Sequence, residues 1–464
     1  MFVVEKKLSY VNSFHFIGVG GSGMSSLARL LLINGFSVSG CDLSYSETVK
    51  KLEKYGLLFF KGHSKEHIDD VDVVVYSSAV SPDNEEIEFA KRKNKIVLKR
   101  IELLAEILRL KNTICVLGSH GKTTTTTLIS YTLKKGGKKP LSIIGGIAKN
   151  DEDELSYGSV AVAEIDESDT DFLKVLPFCV VITNIDREHE EKWGGFENLK
   201  KAILTFANSV PIWGFVVVNQ DDANLREIIP YIKRKVITCS LEDQKANFYV
   251  KNLYLGKNSR YDIVIDIGEG KIHVEGVELG VPGLHNIYNS LLSFAVCYIF
   301  GVDLDVIKNA FRSFEGVKRR IELVMEKDGV YVVDDYAHHP TEIKATLLTL
   351  RQIYSGRIFL IFEPHRFSRV HNLKKEFAEA ISLADLCLIT DIYPASEENV
   401  WNVSPHSIIS LANGKNIRYI PYELVVDEAK EIFKRAGKGD VIVFMGAGKI
   451  KDMLSKFLGE ISSA

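Results

Sequence analysis

The apolar, β-branched run Thr113-Ile-Cys-Val-Leu117 stops abruptly at Gly118-Ser119-His120-Gly121-Lys122-Thr123-Thr124, and helix-compatible sequence follows through Leu133. A strand, a glycine turn and a helix start are the layout of a phosphate-binding loop. Glycines let backbone N–H groups crowd around phosphate oxygens. The helix N-terminus adds its dipole, Lys122 is placed to neutralise terminal phosphates, and the Thr123 hydroxyl can hold Mg²⁺. The common form of this loop has a glycine five residues before the Gly-Lys pair, where this chain has Val116. The spacing here is the shorter Gly-x-x-Gly-Lys-Thr, a narrower signal than a generic nucleotide loop.

Other chemistry-bearing residues fall at the ends of apolar runs. Val160-Ala-Val-Ala163 leads into Glu164, Asp166, Glu167, Asp169 and Asp171. So many carboxylates are costly unless solvated or near cations. Glu164 comes directly off the strand and is the one placed to face Mg²⁺; the others read mostly as a solvated loop. Phe178–Ile182 runs out to Asp186 and His189. On the residues alone, His189 either ligates a second metal or packs in a polar loop, and packing is the simpler reading. Asn286 and Asn289, three apart at the start of a long apolar helix, share a face suited to an adenine edge or serve as a cap. Lys318-Arg-Arg320 is either a solvated face or a phosphate clamp.

Near the N-terminus, His15-Phe-Ile-Gly-Val-Gly-Gly-Ser-Gly-Met24 is another strand entering glycines (Gly18, Gly20, Gly21, Gly23), and a second strand ends at Asp42. This is βαβ dinucleotide geometry with the acid placed for a ribose, and by itself it favours NAD. Ser77 and Ser78 follow the strand Val71–Val75 and are either ligand contacts or turn residues.

The elements carrying these residues suggest an α/β protein. A length of 464 residues predicts about three domains at roughly 150 residues each. The expected boundaries are 1–108, 109–313 and 314–464: a Rossmann-like domain, a P-loop ATPase-type α/β domain and a second Rossmann-like α/β domain. In the last, strands are expected at Val330–Asp334, Arg357–Phe362, Leu386–Thr390, Ile417–Ile420 and Val441–Met445, and the loops 335–340, 363–369, 391–397 and 446–448 carry polar or glycine-rich residues at strand ends, where open sheets bind ligand. The net charge of −3 argues against a nucleic-acid or membrane-surface binder. The charged N-terminus lacks the apolar stretch of a signal peptide. The longest apolar run, Leu291–Val302, is short of the about 20 residues that span a bilayer. A cytoplasmic protein, monomer or weak dimer, is expected. Six scattered cysteines without a C-x-x-C pair read as buried reduced thiols.

Taken together, the motifs resemble the Mur ligases of peptidoglycan synthesis nearly end to end. The carriers are His15–Ser25, Gly118–Thr124, Glu164–Asp169, Thr183–Asp186, Pro282–Asn289, Asp334–Pro340 and Glu363–Arg369. The first and the last two are similar to the alanine-adding branch. The resemblance implies ATP-dependent joining of L-alanine to the lactyl carboxylate of UDP-N-acetylmuramate through an acyl phosphate, with Mg²⁺ required and Mn²⁺ able to substitute. A salvage ligase for a murein tripeptide and a silent nucleotide-binding regulator are the rival readings. NAD is then not expected, and the N-terminal glycine loop becomes a UDP-sugar site. Gly18, Gly20, Gly21, Ser22, Gly23, Met24, Asp42, Leu43, His63, Ser77 and Ser78 are implied there, with His365, Arg366 and Arg369 on the substrate diphosphate or the tetrahedral anion. ATP is implied at 118–124, Asn286, Asn289, Arg320, Asp335 and Tyr336. Catalytic roles fall on Lys122, Glu164, His189 and His338, and metal ligation on Thr123, Glu164 and His189. The family usually reads Asp-His-Met-Asp where this chain has Glu188-His189-Glu190-Glu191.

Overall fold

The computed structural model describes residues 11–77, 79–81, 83–144, 158–188, 190–268, 270–395, 397–412 and 416–462, with the side chains of Ser22 and Glu191 excepted. Ser78, His189 and the Ser22 side chain therefore lie outside the described residues.

Three sheets follow one another along the chain. The first contains β1 (Ser13–Ile17), β2 (Ser37–Asp42), β3 (Leu58–Lys61), β4 (Val73–Tyr76) and β5 (Ile96–Lys99). All are parallel in the order β3-β2-β1-β4-β5. The order reverses between β1 and β4, so the crevice of this doubly wound sheet opens at the carboxyl end of β1, where the first glycine loop begins.

The second sheet contains β6 (Asn112–Leu117), β7 (Leu141–Ile143), β8 (Val160–Glu164), β9 (Cys179–Ile182), β10 (Phe215–Asn219), β11 (Lys235–Ser240), β12 (Phe248–Tyr254), β13 (Ser259–Asp266) and β14 (Lys271–Leu279). Its order is β14-β13-β12-β11-β10-β9-β6-β8-β7, parallel except for the β12–β14 meander. β6 is nearly all buried, with β8 and β9 on its flanks. Such a strand needs apolar residues on both faces, which explains its continuous hydrophobic run. The third sheet contains β15 (Glu322–Lys327), β16 (Val330–Asp335), β17 (Ile358–Phe362), β18 (Leu386–Ile389), β19 (Ile417–Tyr419) and β20 (Val441–Met445), in the order β15-β16-β20-β17-β18-β19. β15 alone in it is antiparallel.

The sequence reading missed three short strands. β3 and β5 have four residues each and β15 is half polar, so none shows a run long enough to stand out against turn sequence. Among the described residues no helix is long and apolar enough to cross a membrane.

The first two sheets are not packed independently. One continuous core runs from Phe14, Leu27 and Val75 through Leu104 to Leu117, Phe172 and Phe206. The helix Arg100–Leu108 is the wedge between them, its apolar positions buried and its Glu102 closing a capping box at the N-terminus. Ion pairs Lys99–Asp171 and Lys174–Glu102 fasten its rim (the latter 2.6 Å). Leu104→Ala should therefore cost about 2–5 kcal/mol of stability. The check is the urea midpoint; a loss under about 1 kcal/mol would show that the wedge is not core.

Candidate active site

The phosphate-type loop sits where predicted, between β6 and the helix Lys122–Lys135. Gly118 has φ +131°, and a Cβ there would lie 2.3 Å from Thr183 Oγ1 and 2.7 Å from the Asn184 carbonyl. Gly121 has φ +80°, and a Cβ would meet Asn289 Oδ1 at 2.4 Å. Both positions require glycine for backbone conformation and for space. Asn184 supports the loop further, its Oδ1 accepting from His120 N–H (2.8 Å) and its Nδ2 donating to the His120 carbonyl (3.0 Å). Ser119 is buried, and its Oγ accepts from Asp186 N–H at 2.8 Å.

The Thr123 hydroxyl donates to Glu164 Oε1 at 2.9 Å, so the strand-tip carboxylate and the loop hydroxyl meet as expected. Lys122 is a different matter. Its ammonium donates to the Ser119 carbonyl (3.1 Å) and to Glu167 (3.0 Å). Glu167 is only 1% exposed, which corrects the reading of it as part of a solvated loop. Burial raises its carboxyl to about 7, against the pull of Lys122. Asp171 is not free either, pairing with Lys99 and Lys174.

The loop opens on a cleft of about 1270 Å³ of atom-free space, part of it continuous with solvent. Thr123, Thr124, Asn286 and Asn289 line it from the middle sheet, and Arg320, Asp335 and Glu342 from the last. The asparagines are not caps, since Gly283 precedes their helix. Asn289 Oδ1 accepts from Thr125 Oγ1 (3.2 Å), Asn289 Nδ2 donates to Asn286 Oδ1 (3.1 Å), and Asn286 Nδ2 donates to the Pro282 carbonyl (2.7 Å).

Glu342 organises the far wall. Its Oε1 lies 3.3 Å from Arg320 Nη1 and 3.6 Å from His120 Nδ1; its Oε2 accepts from His338 N–H at 3.2 Å. Burial alone would raise this carboxyl, but His338, His120 and Arg320 hold it well below the usual range. His120 is bound on its other side by Asp186 Oδ2 at 3.0 Å. Burial would lower that imidazole, but Asp186 and Glu342 outweigh it and raise it to about 10. Asp186 also accepts from Thr341 Oγ1 (2.8 Å), so the two sheets are joined here directly. Asp335, buried and raised to about 6 chiefly by desolvation, accepts N–H bonds from Ile321 (2.7 Å) and Ala337 (2.8 Å). Tyr336 lies under Arg319 and Arg320, 4.9 and 5.4 Å from its ring. The run Lys318–Arg320 is thus not a uniform solvated face: Arg319 bonds Asp334 and Arg320 lines the cleft.

His338 Nδ1 lies 2.9 Å from the Tyr336 carbonyl, with His365 5.4 Å away ring to ring. Burial lowers His338 to about 4 and His365 to about 3. Arg369 reaches the middle sheet, its Nη2 3.3 Å from Glu188 Oε1. Arg366, at φ +70° before its helix, faces Glu397 at 3.8 Å.

At the first sheet the amides of Gly18, Gly20 and Gly21 donate inward, to the Cys41 carbonyl (2.9 Å), Asp42 Oδ2 (2.9 Å) and the Gly18 carbonyl (3.3 Å). Asp42 thus shapes the loop. Met24 is 1% exposed in the core, so its side chain is packing and not a ligand contact. Leu43 is exposed, Ser77 Oγ accepts from Ala79 N–H (3.3 Å), and His63 turns Nδ1 to Glu86 (2.8 Å). Arg100, which the sequence analysis did not single out, lies against the loop: a Cβ on Gly23 would come within 3.0 Å of its Cδ. Glu342 and Glu167 were also missed. Their only sequence signals are an acid in a first helical turn and a place in an acidic run.

Family profiles cover most of the chain. "Mur ligase family, catalytic domain" matches residues 13–112, "Mur ligase middle domain" 116–297, and "Mur ligase, glutamate ligase domain" 319–448. The chain is 43% identical over 461 residues to the UDP-N-acetylmuramate–L-alanine ligase of Sulfurihydrogenibium sp. (97% of this chain, 98% of that one). It is 42% identical over 455 residues to the protein of that name from Aquifex aeolicus (97% and 98%). The crystal structure of the UDP-N-acetylmuramate–alanine ligase of Thermotoga maritima superposes with a TM-score of 0.80 at 29% identity, covering 97% of this chain and 99% of that one.

Two outcomes test this geometry. Gly118→Ala should fold poorly or lose nucleotide binding, measured by calorimetric titration with ATP; unchanged affinity would refute the steric argument. His120 is raised from an unfolded value of about 6.5 to about 10, so its stabilisation is complete below the first value. It is lost as pH rises through the second. The unfolding free energy of the native chain should fall across that window, and Glu342→Gln should flatten the fall.

Proposed function

This chain belongs to the Mur ligase family, and on that footing we propose that it ligates L-alanine to the lactyl carboxylate of UDP-N-acetylmuramate, with ATP as the energy source. The supporting observation is the cleft itself. The loop 118–124 lines it together with Arg320, Asp335 and Glu342, and a single carboxylate, Glu342, touches His120 on one side and His338 on the other. Under this reading 1–108 takes the UDP-sugar, 109–313 ATP and 314–464 the amino acid. The reaction supplies precursor for the cell wall in the cytoplasm.

A carboxylate cannot expel oxide when an amine attacks, so it must first be given a leaving group. The lactyl oxygen attacks the γ-phosphorus and ADP departs, leaving an acyl phosphate. The alanine nitrogen then attacks the acyl carbon, and orthophosphate leaves as the amide forms. Lys122 stabilises charge building on the transferring phosphoryl oxygens. To do so it exchanges the Ser119 carbonyl and Glu167 for phosphate, while Glu167 keeps the ammonium aimed when no phosphate is bound.

Thr123 Oγ1 and Glu164 Oε1 are adjacent hard oxygen donors, a set that suits Mg²⁺ or Mn²⁺. They would hold the ion, with His189 assigned to a second one by its motif. When bound, the ion supplies further neutralisation of phosphate charge. Asn286 and Asn289 meet adenine by exchanging their mutual hydrogen bond for the base, and Arg320, Asp335 and Tyr336 cover the nucleotide.

The alanine ammonium must lose a proton before it attacks. His338, lowered to about 4, is neutral at physiological pH and can orient the ammonium as a hydrogen-bond acceptor. Arg369, with His365 and Arg366, holds the substrate diphosphate or the anionic tetrahedral intermediate. Arg100 adds a cation at the N-terminal glycine loop.

Phosphate release from ATP with UDP-N-acetylmuramate should depend on L-alanine and fail with the murein tripeptide. Release with the tripeptide alone would make the chain a salvage ligase, and no release with either would leave a nucleotide-binding regulator. Lys122→Ala should lower kcat by roughly 100–1000-fold, the scale for losing one preorganised donor. His338→Ala should impair the alanine-dependent step more than ATP binding; equal losses would remove it from that role.

A further inference from the structure

A second polar cluster is buried in the first sheet's layer, and none of its residues lines the ATP cleft. It contains His15 on β1, Cys41 on β2, His67 in the short turn Lys65–Ile68 and Glu86 in the helix Glu85–Arg92. His15, Cys41 and Glu86 are fully buried. One ligand atom from each, a ring nitrogen of His15 and of His67, Cys41 Sγ and a Glu86 oxygen, falls within 4.8 Å of every other.

A structural-core reading would have these groups satisfy one another, and most do. His67 Nδ1 lies 2.8 Å from Glu86 Oε1, and the Cys41 thiol donates to Glu86 Oε2 at 3.2 Å. His15 does not fit that reading. Its Nδ1 is held by Ser39 Oγ at 2.8 Å, while its Nε2 is buried and without a hydrogen-bond partner, 3.5 Å from Glu86 Oε1. A histidine fixed through one nitrogen, with the other aimed into a set of donors, has the orientation of a metal ligand. Phe60 stacks on His67 at 4.3 Å, and Ile17, Ile68, Val74 and Ile87 pack in the same cluster, which limits water.

We propose that the N-terminal sheet binds a Zn²⁺ ion on His15 Nε2, Cys41 Sγ, His67 Nδ1 and a Glu86 carboxylate oxygen. Two imidazoles, a thiolate and a carboxylate suit zinc and not magnesium. Zinc bonds of this kind put tetrahedral donors roughly 3.3–3.6 Å apart, so small side-chain rotations suffice. The ion's two positive charges balance one thiolate and one carboxylate; the Cys41 proton is released to solvent on binding. The Cys41 carbonyl accepts the amides of Gly18 (2.9 Å) and Val19 (3.1 Å), so the ion would anchor the strand that shapes the glycine loop. The inference is independent of which reaction the chain catalyses.

The test uses the full-length chain, reduced, stripped with chelator, reloaded with Zn²⁺ and dialysed, with metal measured by atomic absorption. A stoichiometric zinc should be retained by the native chain and lost in His67→Gln and Glu86→Gln. His339→Ala is the control for the other histidine–carboxylate group, His120, Asp186 and His339. Zinc lost only in that control, or retention no better in the native chain than in His67→Gln, would overturn the proposal. If the variants do not fold, Co²⁺ loading of the native chain decides. A thiolate-to-cobalt charge-transfer band supports the site, and its absence rejects it.

Discussion

The carboxylate of Glu342 is the constraint on which the cleft depends. It sits at the start of a helix in the last sheet's layer, yet it is held by Arg320, His338 and, from the middle sheet, His120. Removing two or more charges from water is expensive, and such a group persists only while all its partners stay in place. The same carboxylate thus fixes Arg320, His338 and the loop 118–124 in one geometry. A change at any of these reaches the others.

The fold makes that convergence possible. All three sheets carry their candidate site residues at the carboxyl ends of parallel strands, which is where an open α/β sheet leaves a crevice. The wedge helix Arg100–Leu108 gives the first two sheets one core, whereas the last contacts the middle one at this cleft through polar groups: His120 with Glu342, Asp186 with Thr341 and Glu188 with Arg369. An apolar seam holds the first two units together. The seam to the last unit is polar and charged.

The polar interior also shows why individual residues behave differently from their free amino acids. His120 and His338 lie close to the same carboxylate, yet one is raised to about 10 and the other lowered to about 4. His120 has a second carboxylate, Asp186, at 3.0 Å, while for His338 burial and the nearby Arg369 outweigh Glu342, Glu188 and the Tyr336 carbonyl. Two histidines beside one carboxylate can therefore serve as a fixed cation and as a neutral hydrogen-bond acceptor.

Sequence alone determined the features encoded within a few neighbouring residues. These are the strand–glycine–helix units, the Gly118–Thr124 loop and the serial α/β organisation. Each rests on local periodicity or on a steric demand for glycine at a turn. Tertiary structure decided what depends on residues far apart in the chain. It buried Glu167 against Lys122, put Met24 into the core and turned Asp42 to its own loop. It also made Glu342 the partner of His120, more than two hundred positions away, and gathered His15, Cys41, His67 and Glu86 into one cluster. The physical reason is that burial and charge pairing depend on all the atoms around a group, and those neighbours are assigned only when the sheets pack.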